Sequence, residues 1–458
     1  MCETGDLERN FDAVVLGAGP AGEVAAGRLG EAGLAVAVVE AELIGGECSY
    51  WACMPSKALL RPAEVLQEVG RVPGVSAVGL DPAAVLDRRD EVIHTLGDSS
   101  QVPWLEDRGV TVVRGRGKLD GERRVVVGDD VLVAGRAVVV ATGSTSLMPP
   151  IPGLAESRPW TNREATTARE VPPSLLILGG GVVGVELAQA WASLGSRVMV
   201  VEGGPCLLSR EEPFVGEQVA EALQALGVEI RAGVHAVAAS RGEGGEARLE
   251  LDDGTSAGGG ELIVAVGRRP ATGGIGLETI GLEPGKPLEV GNDLRSPAHP
   301  WLYAIGDVNG RAQLTHMGKY HGRLAADAIL GKNISIRSDG QLSPRVIFTD
   351  PQVAAVGHTL VSAREAGLSA RAVDVATSAT AGASFVGRNA PGTSRLVIDE
   401  DRSIVVGATF AGFETAEWLH AATIAVVGEV PLDTLWHAVP SFPTRSEIWL
   451  RLLESYGL

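Results

Sequence analysis

The sequence is poor in several residue types, and each shortage excludes a class of protein. Four cysteines among 458 residues are too few for a disulfide-stapled scaffold. Asp and Glu number 57 against 39 Lys and Arg, and the formal charge of −18 disfavours nucleic acid or anionic membranes as partners. No apolar run approaches the length of a membrane span, and the acidic start lacks the features of a signal peptide. We therefore predict a cytoplasmic protein with neither nucleic-acid nor membrane partners.

Glycine and small apolar residues, in contrast, are abundant. The chain has 60 glycines, only 4% aromatic residues, and apolar runs rich in Val and Ala. This composition is typical of buried parallel strands packed closely against helices. The length allows about three domains of roughly 150 residues each. The first prediction is therefore a multidomain α/β enzyme.

One local plan occurs twice in the chain. Residues 11–40 and 175–202 each show an apolar strand, a G-x-G-x-x-G turn, a helix and a second strand ending in an acid. The acid follows the first glycine by 23 positions in both copies (40 − 17 and 202 − 179). Such glycines let a pyrophosphate approach the backbone, and the acid hydrogen-bonds a ribose hydroxyl. Two dinucleotide sites are predicted, the first from Gly17, Gly19, Pro20, Ala21, Gly22 and Glu40, the second from Gly179, Gly181, Val182, Val183, Gly184 and Glu202.

Composition shifts suggest the domain boundaries. A segment rich in Pro, Ser and Thr follows residue 145, and from about 343 strand-like and helical runs alternate without a nucleotide signature. We predict one nucleotide-binding domain formed by 1–150 and 271–342, a second formed by 151–270, and a separate α+β domain at 343–458.

Two cysteines lie five positions apart in the stretch GGECSYWACMPSKALL. A regular helix would separate Cys48 and Cys53 by about 7.5 Å along its axis, beyond the usual Cα separation of about 4.4–6.8 Å in a disulfide, so they can join only across irregular backbone. Pro55 suits the first turn of a helix, whose dipole would stabilise a nearby thiolate and lower its pKa. Zinc would need further ligands at recognisable spacing. A working dithiol is favoured over a metal site or inert thiols, and no metal is predicted.

The order of the motifs resembles one flavoprotein family throughout nearly the whole chain. After the first glycine motif come C-x4-C-x-P-S-K, A-T-G-S, the second glycine motif, Y-A-I-G-D, F-T-x-P and P-T-x-S-E. This order resembles the class I pyridine nucleotide-disulfide oxidoreductases, the family of dihydrolipoamide dehydrogenase, glutathione reductase and mercuric reductase. The resemblance implies two Rossmann-like domains, for FAD and NAD, and a C-terminal α+β dimerisation domain. It also implies a homodimer in which the C-terminal segment of one subunit meets the disulfide of the other.

The same resemblance implies roles for individual residues. NADH would reduce FAD, the flavin would pass electrons to Cys53, and Cys48 would be the outer thiol that meets the acceptor. Lys57 matches a lysine beside the flavin, and Glu186 matches its acidic partner. By resemblance, further FAD-binding residues are Gly46, Lys57, Gly117, Thr142, Gly143, Ser144, Asp307 and Thr315, and Gly267 serves the nicotinamide nucleotide.

The second glycine motif favours NADH over NADPH. Glu202 would repel a 2′-phosphate but can accept hydrogen bonds from a free ribose diol. Gly203 and Gly204 follow it, so no arginine is at hand for a phosphate. The third glycine of the motif is Gly184 rather than alanine, which is also the NAD pattern.

The chain departs from the family at two places. Disulfide reductases of this type usually carry His-Pro-Thr-x-Ser-Glu near the end, whereas this chain has SFPTRSE, with Phe442 at the histidine's position and Glu447 retained. A positioned proton carrier contributes about 10²- to 10⁴-fold, and phenylalanine cannot act as one. His437 is the nearest substitute, although a surface histidine far from the sulfur is the favoured interpretation. Tyr50 and Trp51 separate the cysteines, and either pack against the adjoining domain or narrow the acceptor pocket.

Three functions remain open. The leading hypothesis is an FAD-dependent NADH oxidoreductase whose Cys48–Cys53 pair exchanges electrons with a disulfide or other thiol-reactive small molecule. The second is an NADH dehydrogenase that reduces a quinone, dye or metal ion, for which no histidine is required. The third is a flavin-binding redox sensor with slow turnover.

Overall fold

The structure is a computed structural model that describes residues 7–388 and 390–458. Its strands are β1 (Leu7–Leu16), β2 (Val36–Glu40), β3 (Val110–Arg114), β4 (Gly117–Leu119), β5 (Arg124–Val127), β6 (Asp130–Val140), β7 (Ser144–Ser146), β8 (Ser174–Leu178), β9 (Arg197–Glu202), β10 (Glu229–Ala232), β11 (Ala236–Arg241), β12 (Ala247–Leu251), β13 (Ser256–Gly259), β14 (Glu261–Val264), β15 (Arg268–Pro270), β16 (Leu302–Ala304), β17 (Arg345–Ile347), β18 (Gln352–Gly357), β19 (Ala370–Ala376), β20 (Thr393–Asp399) and β21 (Ile404–Gly412). Its α-helices are α1 (Pro20–Glu31), α2 (Gly46–Tyr50), α3 (Cys53–Arg71), α4 (Pro82–Val92), α5 (Val102–Glu106), α6 (Asn162–Thr167), α7 (Val182–Ser193), α8 (Pro213–Ala225), α9 (Thr315–Ile329), α10 (Leu360–Glu365), α11 (Thr415–Val427), α12 (Leu432–His437) and α13 (Ile448–Tyr456).

The described residues form two compact units. Among those residues, the first unit comprises 7–55, 90–146 and 268–340, and the second comprises 56–89, 147–267, 341–388 and 390–458. The three-domain division drawn from the sequence stays a prediction.

The first unit is built on a sheet in the order β3-β2-β1-β6, all parallel, with β16 also parallel to β6. On the side of β6 away from β1, its first half pairs with β5 and its second half with β16; β5 also pairs with β4, and the β5–β6 and β4–β5 pairs are antiparallel. Val15, Val38 and Val139, which lie in β1, β2 and β6, are fully buried, and α1 and α9 pack against one another. Strands β1, β2, β6 and β16 end at one edge of the sheet, where open α/β sheets bind their ligands.

The second unit contains three sheets. Strands β10-β9-β8-β14 form a parallel sheet, and β11-β12-β13 form an antiparallel one that shares an apolar core with it. The C-terminal part holds the antiparallel sheet β17-β18-β21-β20-β19, which packs against α11 and α13 around Phe410 and Ile448. The predicted class, two Rossmann-like folds followed by an α+β domain, is confirmed. Among the described residues, no helix combines the length and apolarity needed to cross a bilayer.

Candidate active site

The first glycine turn lies at the carboxyl edge of the sheet, directly after β1. Gly17 has φ +99°, and a Cβ built there would lie 2.5 Å from the carbonyl oxygen of Ala141. A Cβ on Gly22 would lie 1.9 Å from the carbonyl oxygen of Gly17. Only glycine fits either position. Helix α1 then begins at Pro20 with Gly19 as its N-cap, and no side chain caps its first N–H groups. These free N–H groups can donate hydrogen bonds to the negatively charged oxygens of a pyrophosphate.

The acid at the end of β2 is anchored to this turn. Glu40 Oε2 accepts a hydrogen bond from the N–H of Ala18 at 2.7 Å, and Oε1 accepts one from the N–H of Glu42 at 2.7 Å. A carboxylate oxygen has two lone pairs, so each retains capacity for a ribose hydroxyl. Gly46, at the start of α2, packs against the turn, and a Cβ there would lie 2.8 Å from the Cα of Gly19.

A polar cluster lies where β6 and β16 end. Ser144 donates to Asp307 Oδ2 at 2.6 Å and accepts from Arg268 Nε at 2.7 Å. Burial raises the pKa of Asp307, while the hydrogen bond from Ser144 and the charge of Arg268 oppose the rise. The hydroxyl of Thr142 donates to the carbonyl of Ala271 at 2.8 Å. Short strands β7 and β15 pair antiparallel here and fix the cluster.

Two other predicted FAD residues lie nearby in this unit. Gly143 has φ +73°, which favours glycine whatever the space around it. Gly117 begins β4, and a Cβ there would lie 2.7 Å from Leu16 Cδ2 and 3.0 Å from Val39 Cγ1. Gly117 therefore packs against the ends of β1 and β2.

Cys48 and Cys53 belong to different helices. Cys48 lies on the five-residue α2, which ends at Tyr50, and Cys53 is the first residue of α3. Trp51 between them has φ −133° and ψ −2°, so the backbone is irregular at the point where a disulfide would require it. The two cysteines are not joined by a disulfide, and Cys53 is the main cause of a raised pKa at Cys48. Of the other cysteines, Cys2 lies outside the described residues.

The thiol pair is electrostatically asymmetric. Its hydrogen bond with Cys53, followed by burial, raises the pKa of the Cys48 thiol, and the Thr315 hydroxyl and Lys319 only partly oppose this rise. The lowered pKa expected for a thiol near the helix terminus does not apply to Cys48. Cys53 Sγ lies 3.3 Å from Thr315 Oγ1, and Thr315 is the first residue of α9. The N-termini of α3 and α9 thus meet at this sulfur, where they stabilise negative charge.

The two aromatic residues between the cysteines differ in exposure. Tyr50 is buried, and its hydroxyl donates to the carbonyl of Ile44 at 3.0 Å. Trp51 is half-buried and stacks edge-on against Tyr50 with ring centroids 5.7 Å apart. Tyr50 therefore anchors α2 inside its own unit.

The second glycine turn repeats the geometry of the first. Gly179 has φ +114° with a hypothetical Cβ 2.5 Å from the carbonyl oxygen of Ala265, and a Cβ on Gly184 would lie 1.9 Å from the carbonyl oxygen of Gly179. Glu202 accepts from the N–H of Gly180 at 2.5 Å and from the N–H of Gly204 at 2.6 Å.

The surroundings of this second turn are open. Helix α7 begins at Val182 with Gly181 as an N-cap, again without a capping side chain. Val182 and Val183 expose 43% and 38% of their surface, high values for apolar residues on a first helical turn. Gly267, with φ +138°, follows β14 closely. The predicted nicotinamide residues thus lie together in this unit.

Lys57 and Glu186 form an ion pair in the second unit. Lys57 Nζ lies 2.5 Å from Glu186 Oε2, and Glu186 Oε1 accepts from the N–H of Phe348 at 2.9 Å. Glu186 is buried, so its charge requires both partners. Lys57 Nζ also lies 4.8 Å from the centre of the Phe348 ring.

The C-terminal segment buries Glu447 and exposes Phe442. Glu447 is buried, and its Oε1 accepts from the N–H groups of Gly382 at 3.1 Å and Thr444 at 2.9 Å. Phe442 is 77% exposed, and His437 is exposed at the last residue of α12. The part of His437 in proton transfer stays a prediction.

Comparison with known proteins identifies the family. Residues 11–322 match the family described as pyridine nucleotide-disulphide oxidoreductase, and residues 343–452 match its dimerisation domain. The chain belongs to this family. As a pyridine nucleotide-disulphide oxidoreductase it is an FAD-dependent enzyme that uses a nicotinamide nucleotide.

Three matches illustrate the range of its relatives in this oxidoreductase family. The chain is 32% identical to the dihydrolipoyl dehydrogenase of Thermus scotoductus over 98% of this chain and 97% of that one. It is 31% identical to the mercuric reductase of Acidithiobacillus ferrooxidans over 77% of this chain and 66% of that one. Among solved structures, a Cu(II) complex of the HOCl-induced flavoprotein disulfide reductase RclA from Escherichia coli has a TM-score of 0.85 and 25% identity, covering 97% and 99% of the two chains.

Two residues in the first unit of this oxidoreductase were missed by sequence reasoning. His321 is fully buried; its Nδ1 accepts from the N–H of Gly306 at 3.2 Å, and burial lowers its pKa to about 4. Burial also raises the pKa of Glu23, in the first turn of α1, to about 7. Neither residue belongs to a recognisable motif. The capping role of Glu447 had a readable signal, because Thr444-x-x-Glu447 is a capping box.

Proposed function

We propose that this enzyme takes electrons from NADH and exchanges them, through Cys48 and Cys53, with a disulfide or similarly thiol-reactive small molecule. The observation that carries the proposal is the position of the two thiols on either side of the break between α2 and α3, with Cys53 raising the pKa of Cys48. Cysteines on either side of such a break can form a disulfide, whereas cysteines five positions apart on one regular helix cannot.

The first glycine motif is proposed to hold FAD, and three of its features fit that group. They are the glycine turn, the ribose-binding position of Glu40, and the cluster of Ser144 and Asp307 at the same sheet edge. When bound, FAD supplies the step that links two-electron transfer from the reduced nicotinamide to sulfur chemistry.

The two sulfur atoms are assigned different tasks. Cys53 carries negative charge, supported by the N-termini of α3 and α9 and by the Thr315 hydroxyl. Cys48 keeps its proton more firmly and attacks the acceptor once it is deprotonated. As the acceptor's sulfur–sulfur bond breaks, the Cys48–Cys53 bond forms, and the proton from Cys48 together with one proton from solvent ends on the two product thiols.

Glu202 supports NADH as the donor. Its carboxylate is fixed by two backbone N–H groups at the end of β9. A fixed negative charge favours a ribose diol and repels a 2′-phosphate. Lys57, oriented by the buried Glu186, is proposed to act beside the flavin, as the family resemblance implies.

A metal ion is a second candidate acceptor, and Phe442 favours it. The position of the family histidine is filled by an apolar, exposed side chain, and Glu447 is occupied with backbone N–H groups. One-electron reduction of a metal ion needs no proton carrier for a departing thiol. The relatives include a mercuric reductase, and RclA has been solved as a Cu(II) complex.

A homodimer is proposed for the C-terminal domain. Val439 and Phe442 expose 84% and 77% of their surface in the segment that matches the family's dimerisation domain. Large apolar side chains exposed to this extent are typical of interaction surfaces. Light scattering of the holoenzyme should give twice the 47.4 kDa chain mass.

Anaerobic reduction tests the central proposal. One equivalent of NADH added to the oxidised holoenzyme should generate two new titratable thiols, and neither Cys48→Ser nor Cys53→Ser should gain any. Flavin that bleaches with no gain in thiols would overturn the proposed dithiol route.

An acceptor panel separates the two candidate functions. Cys48→Ser should abolish reduction of small disulfides while leaving NADH-dependent quinone reduction within about twofold, because no sulfur exchange is needed there. Cu(II) reduction that survives Cys48→Ser, together with weak disulfide turnover in the wild type, would favour the metal-ion alternative.

A further inference from the structure

The turn that follows Glu202 is covered by an imidazole ring from another strand connection. A Cβ built on Gly203 would lie 2.6 Å from both Cε1 and Nδ1 of His235. Side-chain carbons do not approach one another this closely, so the ring occupies the space that a side chain at position 203 would need. The φ angle of Gly203 is outside the left-handed region, so the ring and not the backbone is what opposes a side chain there.

The chain fixes the backbone of His235 against this turn. The N–H of Val234 donates to the carbonyl of Glu202 at 3.2 Å, and the N–H of Gly233 donates to the carbonyl of Gly204 at 2.7 Å. On its other side, the N–H of His235 donates to Asp252 Oδ1 at 3.0 Å. The segment 233–235 is therefore hydrogen-bonded to the residues that carry the ribose acid.

The position matters because residues just after the acid decide between the two nicotinamide nucleotides. A cation at this point binds a 2′-phosphate, whereas its absence leaves the acid to bind a ribose diol. In this chain the position after the acid is glycine, and an exposed, polar imidazole lies over it.

We propose that His235 is a specificity-determining residue, which binds the adenosine end of the nicotinamide nucleotide beside Glu202 and excludes a phosphate-binding side chain from position 203. The proposal rests on the proposed function, since it takes the second glycine motif as the nicotinamide site. It predicts energetic coupling between positions 203 and 235. An arginine introduced at position 203 should bind the 2′-phosphate of NADP⁺ only when the imidazole ring of His235 has also been removed.

Equilibrium binding tests this coupling without depending on turnover. The FAD-loaded enzyme is titrated by calorimetry with NAD⁺ and with NADP⁺, as wild type, Gly203→Arg, His235→Ala and the double variant. His235→Ala should weaken NAD⁺ binding about threefold to tenfold, the loss of one polar contact. Gly203→Arg alone should improve NADP⁺ binding less than about threefold, and the double variant should improve it about tenfold or more.

Matched variants keep the result interpretable. Val237→Ala, an exposed residue two positions further on, should leave both affinities unchanged. Gly203→Ala should lower the midpoint temperature of thermal unfolding, and adding His235→Ala should restore it. This measurement tests the clash between a side chain at position 203 and the His235 ring without any nucleotide.

Two outcomes would overturn the proposal, namely Gly203→Arg alone binding NADP⁺ as tightly as the double variant, or His235→Ala leaving NAD⁺ binding intact. Failure of the proposed NADH preference would be distinguishable, because the wild type would then bind NADP⁺ as tightly as NAD⁺.

Discussion

The two glycine motifs share one local design and differ in what surrounds it. In both, the first glycine lies against the carbonyl of the residue that follows a parallel strand, the third approaches the first too closely for any side chain, and the acid binds two backbone N–H groups. These shared contacts are those that an adenine dinucleotide requires.

The surroundings of the first motif are closed by the chain itself. Gly46 Cα is the nearest atom to a Cβ on Gly19, and α2 with its cysteine follows at once. At the second motif a Cβ on Gly181 meets nothing within 4 Å, and the apolar first turn of α7 is exposed. The fingerprint thus specifies the class of ligand, and the neighbouring segments decide whether that ligand stays or exchanges.

The largest effects are expected from filling the tightest glycine of each motif. Gly22→Ala and Gly184→Ala each place a methyl group 1.9 Å from a backbone oxygen, which should cost about 3 kcal/mol or more of local stability. Gly22→Ala should be purified without FAD, whereas Gly184→Ala should keep FAD and lose nicotinamide nucleotide binding. Flavin absorbance and calorimetry measure the two losses.

Control substitutions are available one turn away. Gly19→Ala and Gly181→Ala have backbone angles open to alanine and meet no atom closer than 3.9 Å. Each should change the free energy of unfolding of the apoprotein by less than about 1 kcal/mol. A Gly22→Ala protein that retains FAD as fully as the wild type does would break the comparison.

The next effect is a pH response expected of the first unit. Folded His321 stays neutral down to about pH 4, whereas the unfolded imidazole gains its proton near 6.5, so stability is lost as pH falls from 6.5 to 4. Glu23 acts oppositely, since the folded carboxyl keeps its proton up to about 7, and stability is lost as pH rises from 4.5 to 7. Each contributes at most about 3 kcal/mol.

Single variants separate these opposing contributions. Denaturant unfolding from pH 4 to 8 should show His321→Gln more stable relative to wild type at pH 4 than at pH 8. Glu23→Gln should show the reverse, being relatively more stable at pH 8. The position equivalent to Glu23 in the second motif is Val185, and Val185→Ala should alter stability equally at both ends of the range. Parallel profiles for all four proteins would refute the assignment.

The smallest effects are expected from the paired acids. Glu40→Gln and Glu202→Gln each replace one carboxylate oxygen with an NH₂ group that faces a backbone N–H donor. Each substitution should reduce the binding free energy of its dinucleotide by about 2 kcal/mol, which weakens binding about 30-fold. Glu202→Gln should weaken NAD⁺ more than NADP⁺, because the repelling charge is also removed. Glu40→Gln should speed FAD release and leave NAD⁺ affinity unchanged. Calorimetry and flavin-release kinetics measure the two outcomes.

The sequence predicted those parts of the site that depend on local pattern. The paired motifs and their spacing placed Gly17, Glu40 and Glu202 correctly at the ends of buried strands, because short-range sterics and strand periodicity decide such positions. The irregular backbone near Trp51 also followed from the cysteine spacing.

Contacts between distant segments could not be predicted in the same way. The N–H of Phe348 binds Glu186 across 162 positions, and His235 covers Gly203 from a different strand connection. The local sequence around Phe348 or His235 does not indicate which distant residue each of them contacts. Such contacts are set by how the sheets pack, which pattern reasoning from one sequence does not reach.

Because α2 is much shorter than α3, we expect Cys48 to move more than Cys53 during the redox reaction. Cys48 lies on a helix of only five residues, which begins directly after Gly45, a residue with φ +109°. Cys53 is the first residue of a helix of 19 residues. When the sulfur–sulfur linkage opens or closes, the short turn should absorb the adjustment. Deuterium uptake at the backbone amides of residues 46–52 should therefore differ between the oxidised and reduced enzyme, whereas uptake in α3 should be the same in both.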